Sequence, residues 1–371
     1  MGPMTRLARI ATGPRAWRHT LAPVSAVAAA WLVIAGPVTA HGSDNPPAPT
    51  IGAFLFGWSF DPSVQIPILI MTAAYLWAVR HVDAAHPLNP VPRLRTACFL
   101  AGIVAVEIAL QSGVDAYENV LFSDHMVQHT LLTMIAAPLL ALGAPITLLL
   151  RVARPEARRR WILPVLHSRV VRAISFPVVA WIGFAAVMWG THFSPLFEAS
   201  LENPLVHDLE HVLFLSSALL FWWPVVGLDP SPWRMPHPVR ALYAGLQMPQ
   251  NTFLALAIFS ASEPLYRHYT TLDLPWLPDP LADQQAAGAI MWVVGDLTFF
   301  VAILLIVRAW MASEDRSTRA VDARLDAEEA RLREREASLA ARRSIGSEPP
   351  PLDRSLDAAI EPQSSGSGAA R

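Results

Sequence analysis

The segment 125–150 reads HMVQHTLLTMIAAPLLALGAPITLLL and contains no charged residue. It exceeds the roughly 20 residues that an α-helix needs to cross a hydrocarbon core of about 30 Å. A lipid core offers no partner to an open backbone group, so a segment that crosses it must be helical. We therefore predict a membrane-spanning helix here, with His125 and His129 close to one membrane surface.

The same apolar pattern recurs along the chain. Only 16% of the residues are charged, whereas soluble domains carry about 25%. Comparable runs cover 62–79, 96–114, 125–150, 170–189, 206–226, 240–260 and 286–310. The sequence thus predicts an all-α fold, a polytopic membrane helical bundle of about seven transmembrane helices within one domain at 62–312. Prolines inside these runs predict kinks, at Pro67, Pro138, Pro177 and Pro249.

The two ends of the chain predict different kinds of segment. Residues 1–40 hold arginines, then an apolar stretch that ends in Val38-Thr39-Ala40, which is typical of a signal peptide or an uncleaved N-terminal helix. Residues 41–61 follow as an extracytoplasmic segment. Residues 313–345 predict a cytoplasmic charged helix, with a solvated helix favoured over a coiled coil. Pro, Ser and Gly are frequent in 346–371, which predicts a disordered tail.

The distribution of arginine predicts the orientation in the membrane. The chain has no lysine, and arginines are concentrated in loops such as 80–95 and 151–169. The loops between them carry aspartate and glutamate instead, Glu118 among them. Cytoplasmic loops of membrane proteins carry the excess of basic residues. We therefore expect a multi-pass protein of the plasma (inner) membrane, with residue 41 outside and the C-terminus in the cytoplasm.

Two of the predicted helices begin on the outer side with a pair of histidines, in 125–129 (HMVQH) and 207–211 (HDLEH). A spacing of four places both rings of a pair on one helix face. Because both helices run inward from the same surface, the four imidazoles should lie at one depth, and such a group suits copper or zinc. The candidate metal ligands are His125, His129, His207 and His211, with His192 and Met126 as weaker candidates.

Neighbouring residues refine this metal-site hypothesis. Thioethers of Met126 and Met134 would favour Cu(I). Asp124, Asp208 and Glu210 are candidate acceptors that would orient the rings. The alternative is a set of interfacial histidines that pair with these carboxylates and hold no metal.

Two other kinds of site fit parts of the pattern. The segment 207–211 matches the inverted zinc-protease signature H-x-x-E-H, but no third ligand or substrate pocket accompanies it, so an enzyme is not predicted. A single haem near the outer surface remains open. The lone cysteine, Cys98, excludes a CxxC metal-carrier motif.

Several polar residues fall within the apolar runs, at Glu107, Gln250, Asn251 and Asp296. Polar groups inside a membrane are functional candidates by default. We slightly favour the simpler interpretation, in which they hydrogen-bond one another and fix the register of the helices. Protonation of Glu107 or Asp296 on demand is the functional alternative.

Several segments resemble a known family. The stretches 126–145 (MVQHTLLTMIAAPLLALGAP), 207–224 (HDLEHVLFLSSALLFWWP), 248–251 (MPQN) and 283–292 (DQQAAGAIMW) resemble the multi-spanning CtaG family of cytochrome c oxidase assembly proteins. The resemblance covers about 62–310, in order and with the right spacing. Asp296 departs from the pattern, where a small residue is expected.

The resemblance implies a role in maturing the haem–copper oxidase, with insertion of copper on the outer side; our own hypothesis from the ligand types is that the four histidines hold it as Cu(I). The expected partners are cytochrome c oxidase subunits and the lipid bilayer, with no nucleic acid, and transfer would be ligand exchange rather than catalysis. A haem-binding membrane electron carrier and a metal-free scaffold for oxidase subunits are the alternatives. The oligomeric state is not predicted.

Overall fold

The computed structural model describes residues 46–50, 52 and 57–346. Within these residues the secondary structure is helical and no β-strand occurs, as an all-α fold requires. The signal-like segment 1–40, residues 41–45, 51 and 53–56 of the segment 41–61, and residues 347–371 of the tail lie outside the described residues.

The helices follow one another with short connections. Short helical turns at Pro155–Ala157, Arg158–Ile162 and Leu163–Leu166 connect the helix that ends at Val152 to the helix that begins at Arg169. In chain order the helices are α1 (Pro62–Ala85), α2 (Arg93–Gln111), α3 (Gly113–Tyr117), α4 (Phe122–Thr130), α5 (Ala137–Leu142), α6 (Pro145–Val152), α7 (Arg169–Ile174), α8 (Pro177–His192), α9 (Pro195–Glu202), α10 (Pro204–Val226), α11 (His237–Gly245), α12 (Gln247–Phe259), α13 (Arg267–Thr271) and α14 (Pro280–Gly346).

Five helical stretches of the described chain are long and apolar enough to cross a membrane, which confirms the multi-pass membrane character. They are Pro62–Ala85, Arg93–Tyr117, Phe122–Val152, Pro204–Val226 and Pro280–Ala341. The expected number of seven is not reached, because the runs 170–189 and 240–260 are divided. Pro177 does not kink a helix but begins α8, whose 16 residues span about 24 Å. Leu246 separates α11 from α12.

A π-helical segment, Leu131–Ala136, joins α4 to α5 within the longest uncharged stretch. Pro138 follows it at the start of α5, where its ring removes one backbone donor from the helix. The Thr133 carbonyl in this segment accepts a 2.9 Å hydrogen bond from the indole Nε1 of Trp222 in α10. This bond ties together the two helices that carry the histidine pairs.

Close packing sets these helices against the rest of the bundle. A Cβ atom at Gly102 in α2 would come within 2.9 Å of the Leu140 backbone nitrogen in α5, so glycine permits the approach of the two helices. The larger hydrophobic cluster includes the fully buried rings of Phe184, Phe214 and Trp222. This cluster follows the histidines along α10, because Phe214 lies about one helical turn after His211.

The described part of the chain divides into two units, with the boundary between Ala309 and Trp310. The described part of the second unit is the charged end of α14. The expected charged helix at 313–345 is helical throughout, and its leucines Leu325, Leu332 and Leu339 are each about half exposed.

Candidate metal centre

Both histidine pairs lie near the N-terminus of a helix, and each of these N-termini is held by a side chain that accepts backbone hydrogen bonds. The carboxylate of Asp283, at the beginning of α14, accepts hydrogen bonds from the backbone nitrogens of Phe122 (2.6 Å) and Ser123 (3.3 Å), and so fixes the first turn of α4. The Asn203 side chain caps α10 by accepting from the Leu205 nitrogen at 3.0 Å. The histidines therefore lie in the first turns of two helices whose ends are held in place.

The structure brings the four histidines of the two pairs together. Ring centroids are 4.2 Å apart for His125 and His129 in α4, and 4.1 Å apart for His207 and His211 in α10. Between the helices, the separation is 5.4 Å for His125 and His207 and 6.1 Å for His129 and His211. All four side chains are buried. The sequence predicted this convergence from two spacings and one orientation rule.

Glu118 bridges His125 and His207, one histidine of each pair, and the sequence alone does not predict this contact. One oxygen of its carboxylate, Oε2, lies 2.6 Å from Nε2 of His207 and 3.3 Å from Nδ1 of His125. Burial would raise the pKa of Glu118, but the charge of His207 and the contacts with both rings lower it below its ordinary value. Glu118 belongs to the loop between α3 and α4. Tyr269 anchors this loop, because its hydroxyl donates a hydrogen bond to the Glu118 carbonyl at 3.1 Å.

Two groups of ligand atoms emerge among the described residues. In each group the nitrogen and carboxylate oxygen atoms all lie within 4.8 Å of one another. One consists of Glu118, His125 and His207, and the other of His125, His129 and Glu210. Glu210, expected only to orient a ring, is thus close enough to be a direct ligand. The other two expected acceptors, Asp124 and Asp208, belong to neither group.

His211 is oriented by a glutamine rather than by a carboxylate. Its Nε2 lies 2.9 Å from Oε1 of Gln128, and the Gln128 amide nitrogen donates to the Ala109 carbonyl at 3.0 Å. Because the Gln128 oxygen is an acceptor, the proton of His211 lies on Nε2. This assignment directs the lone pair of the ring to Nδ1.

The two weaker candidates have different positions. His192, at the end of α8, is buried with its ring centroid 6.1 Å from that of His129, and its Nδ1 lies 2.7 Å from the Met188 carbonyl. Met126 is buried in the larger hydrophobic cluster, as is Met134. His192 therefore lies beside the cluster of rings, whereas the two methionines belong to the apolar core.

Several ring nitrogens in this cluster have no hydrogen-bond partner among the residues that the structure describes. They are both nitrogens of His129 and the Nε2 atoms of His125 and His192. A buried polar atom without a partner costs about 1–3 kcal/mol. Coordination of a metal ion uses the lone pair of a neutral imidazole, so it would satisfy such an atom. The donor set of imidazoles and carboxylates therefore fits a metal ion.

The other intramembrane polar residues form pairs away from this cluster. Gln65 donates to Glu107 Oε1 at 2.8 Å. Asp296 in α14 accepts from Asn251 (3.1 Å) and Thr252 (2.7 Å) in α12. Asp296 thus links two helices at a position where a small residue was expected.

Comparisons with known proteins point to one family. The profile of the family described as "Cytochrome c oxidase caa3 assembly factor (Caa3_CtaG)" matches residues 73–313, a range that includes every candidate ligand. No solved structure matches the chain significantly.

Relatives with similar sequences occur in mycobacteria. The chain is 32% identical over 294 residues to an uncharacterized protein of Mycobacterium bovis and, equally, to one of Mycobacterium tuberculosis. It is 30% identical over 282 residues to an uncharacterized protein of Mycobacterium leprae. The alignments cover 77% of this chain and 44% of the first two relatives, and 74% and 42% for the third. The chain therefore spans less than half the length of these relatives.

Proposed function

The chain belongs to the Caa3_CtaG family of cytochrome c oxidase caa3 assembly factors, and from this premise we propose that it holds copper at the outer face of the membrane for insertion into the oxidase. The outer position rests on the arginine pattern of the loops. Copper is the cargo in this proposal, and the partners are oxidase subunits. Release to the partner is an exchange of ligands, which requires no catalytic residue.

The observation that carries the proposal is the environment of His129. The ring is buried, and both its nitrogens lack a hydrogen-bond partner among the described residues. Three other histidine rings lie within 6.1 Å of it, measured between centroids. A histidine with only a structural role would normally use at least one nitrogen for a hydrogen bond. An ion accepting the lone pair of His129 gives this arrangement a physical reason.

The positions of the side chains support a larger set of ligands in this proposal. The ion would be held by four imidazoles, those of His125, His129, His207 and His211. The carboxylates of Glu118 and Glu210 lie next to them, and His192 is a further possible ligand. Carboxylates favour harder ions than thioethers do. The carboxylates of Glu118 and Glu210 therefore weaken the case for Cu(I) in particular, while imidazole remains suitable for copper in general.

Geometry disfavours haem in this cluster. The imidazoles contact one another, and phenylalanine rings close the remaining sides, with Phe214 at 4.3 Å from His129 and Phe197 at 4.8 Å from His125 between centroids. A porphyrin between these rings would require α4 and α10 to separate. A single ion requires only small movements of side chains.

Metal analysis of the purified full-length protein tests the proposal directly. We expect copper bound in the wild type, no Soret band in the visible spectrum, and loss of the copper in the double variant His129→Ala/His211→Ala. The matched control is His81→Ala/His86→Ala, which removes two exposed histidines of the first helix region and should keep the copper.

The same variants test whether copper binding is needed for oxidase maturation in the cell. Oxidase activity of membranes should fall in His129→Ala/His211→Ala at unchanged abundance of the protein, and should stay normal in the control. A Soret band would favour the haem carrier. Normal oxidase activity in the double variant, or a wild type that binds neither copper nor haem, would favour the metal-free scaffold.

A further inference from the structure

A basic pocket lies at the arginine-rich end of the bundle, and none of its lining residues belongs to the histidine cluster. Its volume is about 450 Å³, and it is enclosed by the end of α6, the loop that follows α10 and the start of α11. Four arginines line this basic pocket: Arg151, Arg158, Arg234 and Arg240.

The charge of the basic pocket is not neutralised within the described part of the chain. None of the four arginines forms an ion pair there. Asp229 also lines the pocket, but its two oxygens accept from the backbone nitrogens of Ile146 (3.1 Å) and Thr147 (2.6 Å) and cap α6. Four arginines that converge on one carboxylate, with none of them paired to it, leave an excess of positive charge that suits a phosphate group.

Backbone contacts hold one of these arginines firmly. Arg240 donates from Nε to the Met235 carbonyl at 2.9 Å, and its guanidinium packs on Gly227, where a Cβ atom would come within 2.5 Å. Gly227 has φ of 59°, a left-handed conformation that glycine adopts without strain. The turn after α10 is thus built to place Arg240 in the pocket.

Two apolar grooves begin at the basic pocket and follow the bundle. The first, of about 570 Å³, shares Leu228 and Asp229 with the pocket and continues past Tyr75 and Trp77 of α1. The second, of about 550 Å³, shares Leu228 and Arg240 with it and continues along α14. Their linings are almost entirely apolar, so a ligand that fills all three spaces has one anionic head and two hydrocarbon chains.

We propose that the basic pocket and its two grooves bind one anionic diacyl phospholipid, with the phosphate at the arginines and one acyl chain in each groove. Basic pockets between transmembrane helices commonly recognise anionic head groups. The arginine-rich side is also the side predicted to face the anionic cytoplasmic leaflet. The proposal is independent of the metal centre.

Lipid titration of the purified full-length protein, followed by native mass spectrometry, tests this proposal. The probes are dioleoyl phosphatidylglycerol, dioleoyl phosphatidylcholine and sn-glycerol 3-phosphate. We expect one saturable site for phosphatidylglycerol, binding at least about tenfold weaker for phosphatidylcholine, and no competition by glycerol phosphate. The variant Arg158→Gln/Arg234→Gln should lose about tenfold or more in affinity for phosphatidylglycerol.

The matched control is Arg159→Gln/Arg160→Gln, which removes two exposed arginines of the same loop that do not line the pocket. It should bind phosphatidylglycerol like the wild type. Ala74→Trp, at an exposed position in the first groove, should weaken binding of the lipid without touching the arginines.

Three results would overturn the proposal. Equal affinity for the two lipids would remove the role of the head-group charge. An equal loss in the two arginine variants would show a general surface effect. Glycerol phosphate that binds as tightly as the lipid would identify a soluble phosphorylated ligand instead.

Discussion

Nε2 of His207 lies 2.6 Å from the carboxylate of Glu118, and the same oxygen lies 3.3 Å from Nδ1 of His125. A residue from the loop between α3 and α4 thus joins the two helices that carry the histidine pairs. Its position gives Glu118 two roles, a partner that orients both rings and a candidate ligand.

Glu118→Gln should lower the affinity of the site for copper by about tenfold or more, because groups that orient metal ligands typically contribute 10- to 100-fold. Glutamine keeps the size of the side chain but removes its negative charge. Competition with a chromogenic chelator on the purified protein measures the change. Glu202→Gln alters an exposed carboxylate at the end of α9 and should bind like the wild type. Unchanged affinity in Glu118→Gln would remove Glu118 from the site.

Gln128→Leu should destabilise the protein by about 1–3 kcal/mol in the free energy of unfolding. The substitution leaves Nε2 of His211 and the Ala109 carbonyl without their present partner in a buried region. Chemical unfolding in detergent measures the effect. Val127→Leu, a change at the half-buried neighbour, serves as the control and should unfold near the wild-type midpoint. A Gln128→Leu variant as stable as this control would contradict the role of Gln128.

Periodicity explains why the convergence of the two histidine pairs could be predicted. A spacing of four relates His125 to His129 and His207 to His211, and the arginine pattern puts both pairs at one end of the bundle. No local spacing relates Glu118 to His207, since their contact arises only when the loop after α3 folds over α10. Glu118 was therefore counted simply as a loop acid.

The helix boundaries also depend on tertiary contacts, so the sequence alone predicts some of them incorrectly. The run 170–189 is apolar apart from Arg172 and Ser175, so its hydropathy alone indicates one helix. Pro177 was interpreted as a kink, although proline is also favoured in the first turn of a helix. The structure shows this second use, and the helix that begins there has only 16 residues.

Trp222→Phe should lower the free energy of unfolding by more than Trp223→Phe does. Trp222 is fully buried, donates to the Thr133 carbonyl at 2.9 Å and stacks on Phe299 at 5.6 Å between centroids. Its replacement removes a hydrogen bond to the π-helical segment and leaves a small cavity, for a cost of about 2–4 kcal/mol.

The neighbouring tryptophan is a matched control. Trp223 is half-buried, and its indole Nε1 has no hydrogen-bond partner within the described residues. Phenylalanine at this position removes a donor that is not used, so the expected change is below about 1 kcal/mol. Equal costs for the two variants, measured by chemical unfolding, would show that the bond to Thr133 contributes nothing specific.

Asp296 provides a test between a structural and a proton-carrying carboxylate. Its two oxygens accept from Asn251 Nδ2 (3.1 Å) and Thr252 Oγ1 (2.7 Å), so α14 and α12 are held in register. If this is its role, Asp296→Asn should keep oxidase maturation, because the amide oxygen can still accept from Thr252 and no proton is needed. A double-mutant cycle of Asp296→Ala with Thr252→Ala should give a coupling of about 0.6 kcal/mol, the average for such bonds in membranes. A proton carrier predicts the opposite result for Asp296→Asn, loss of oxidase activity at normal stability, because an amide side chain does not ionise and cannot take up and release the proton as a carboxyl group does.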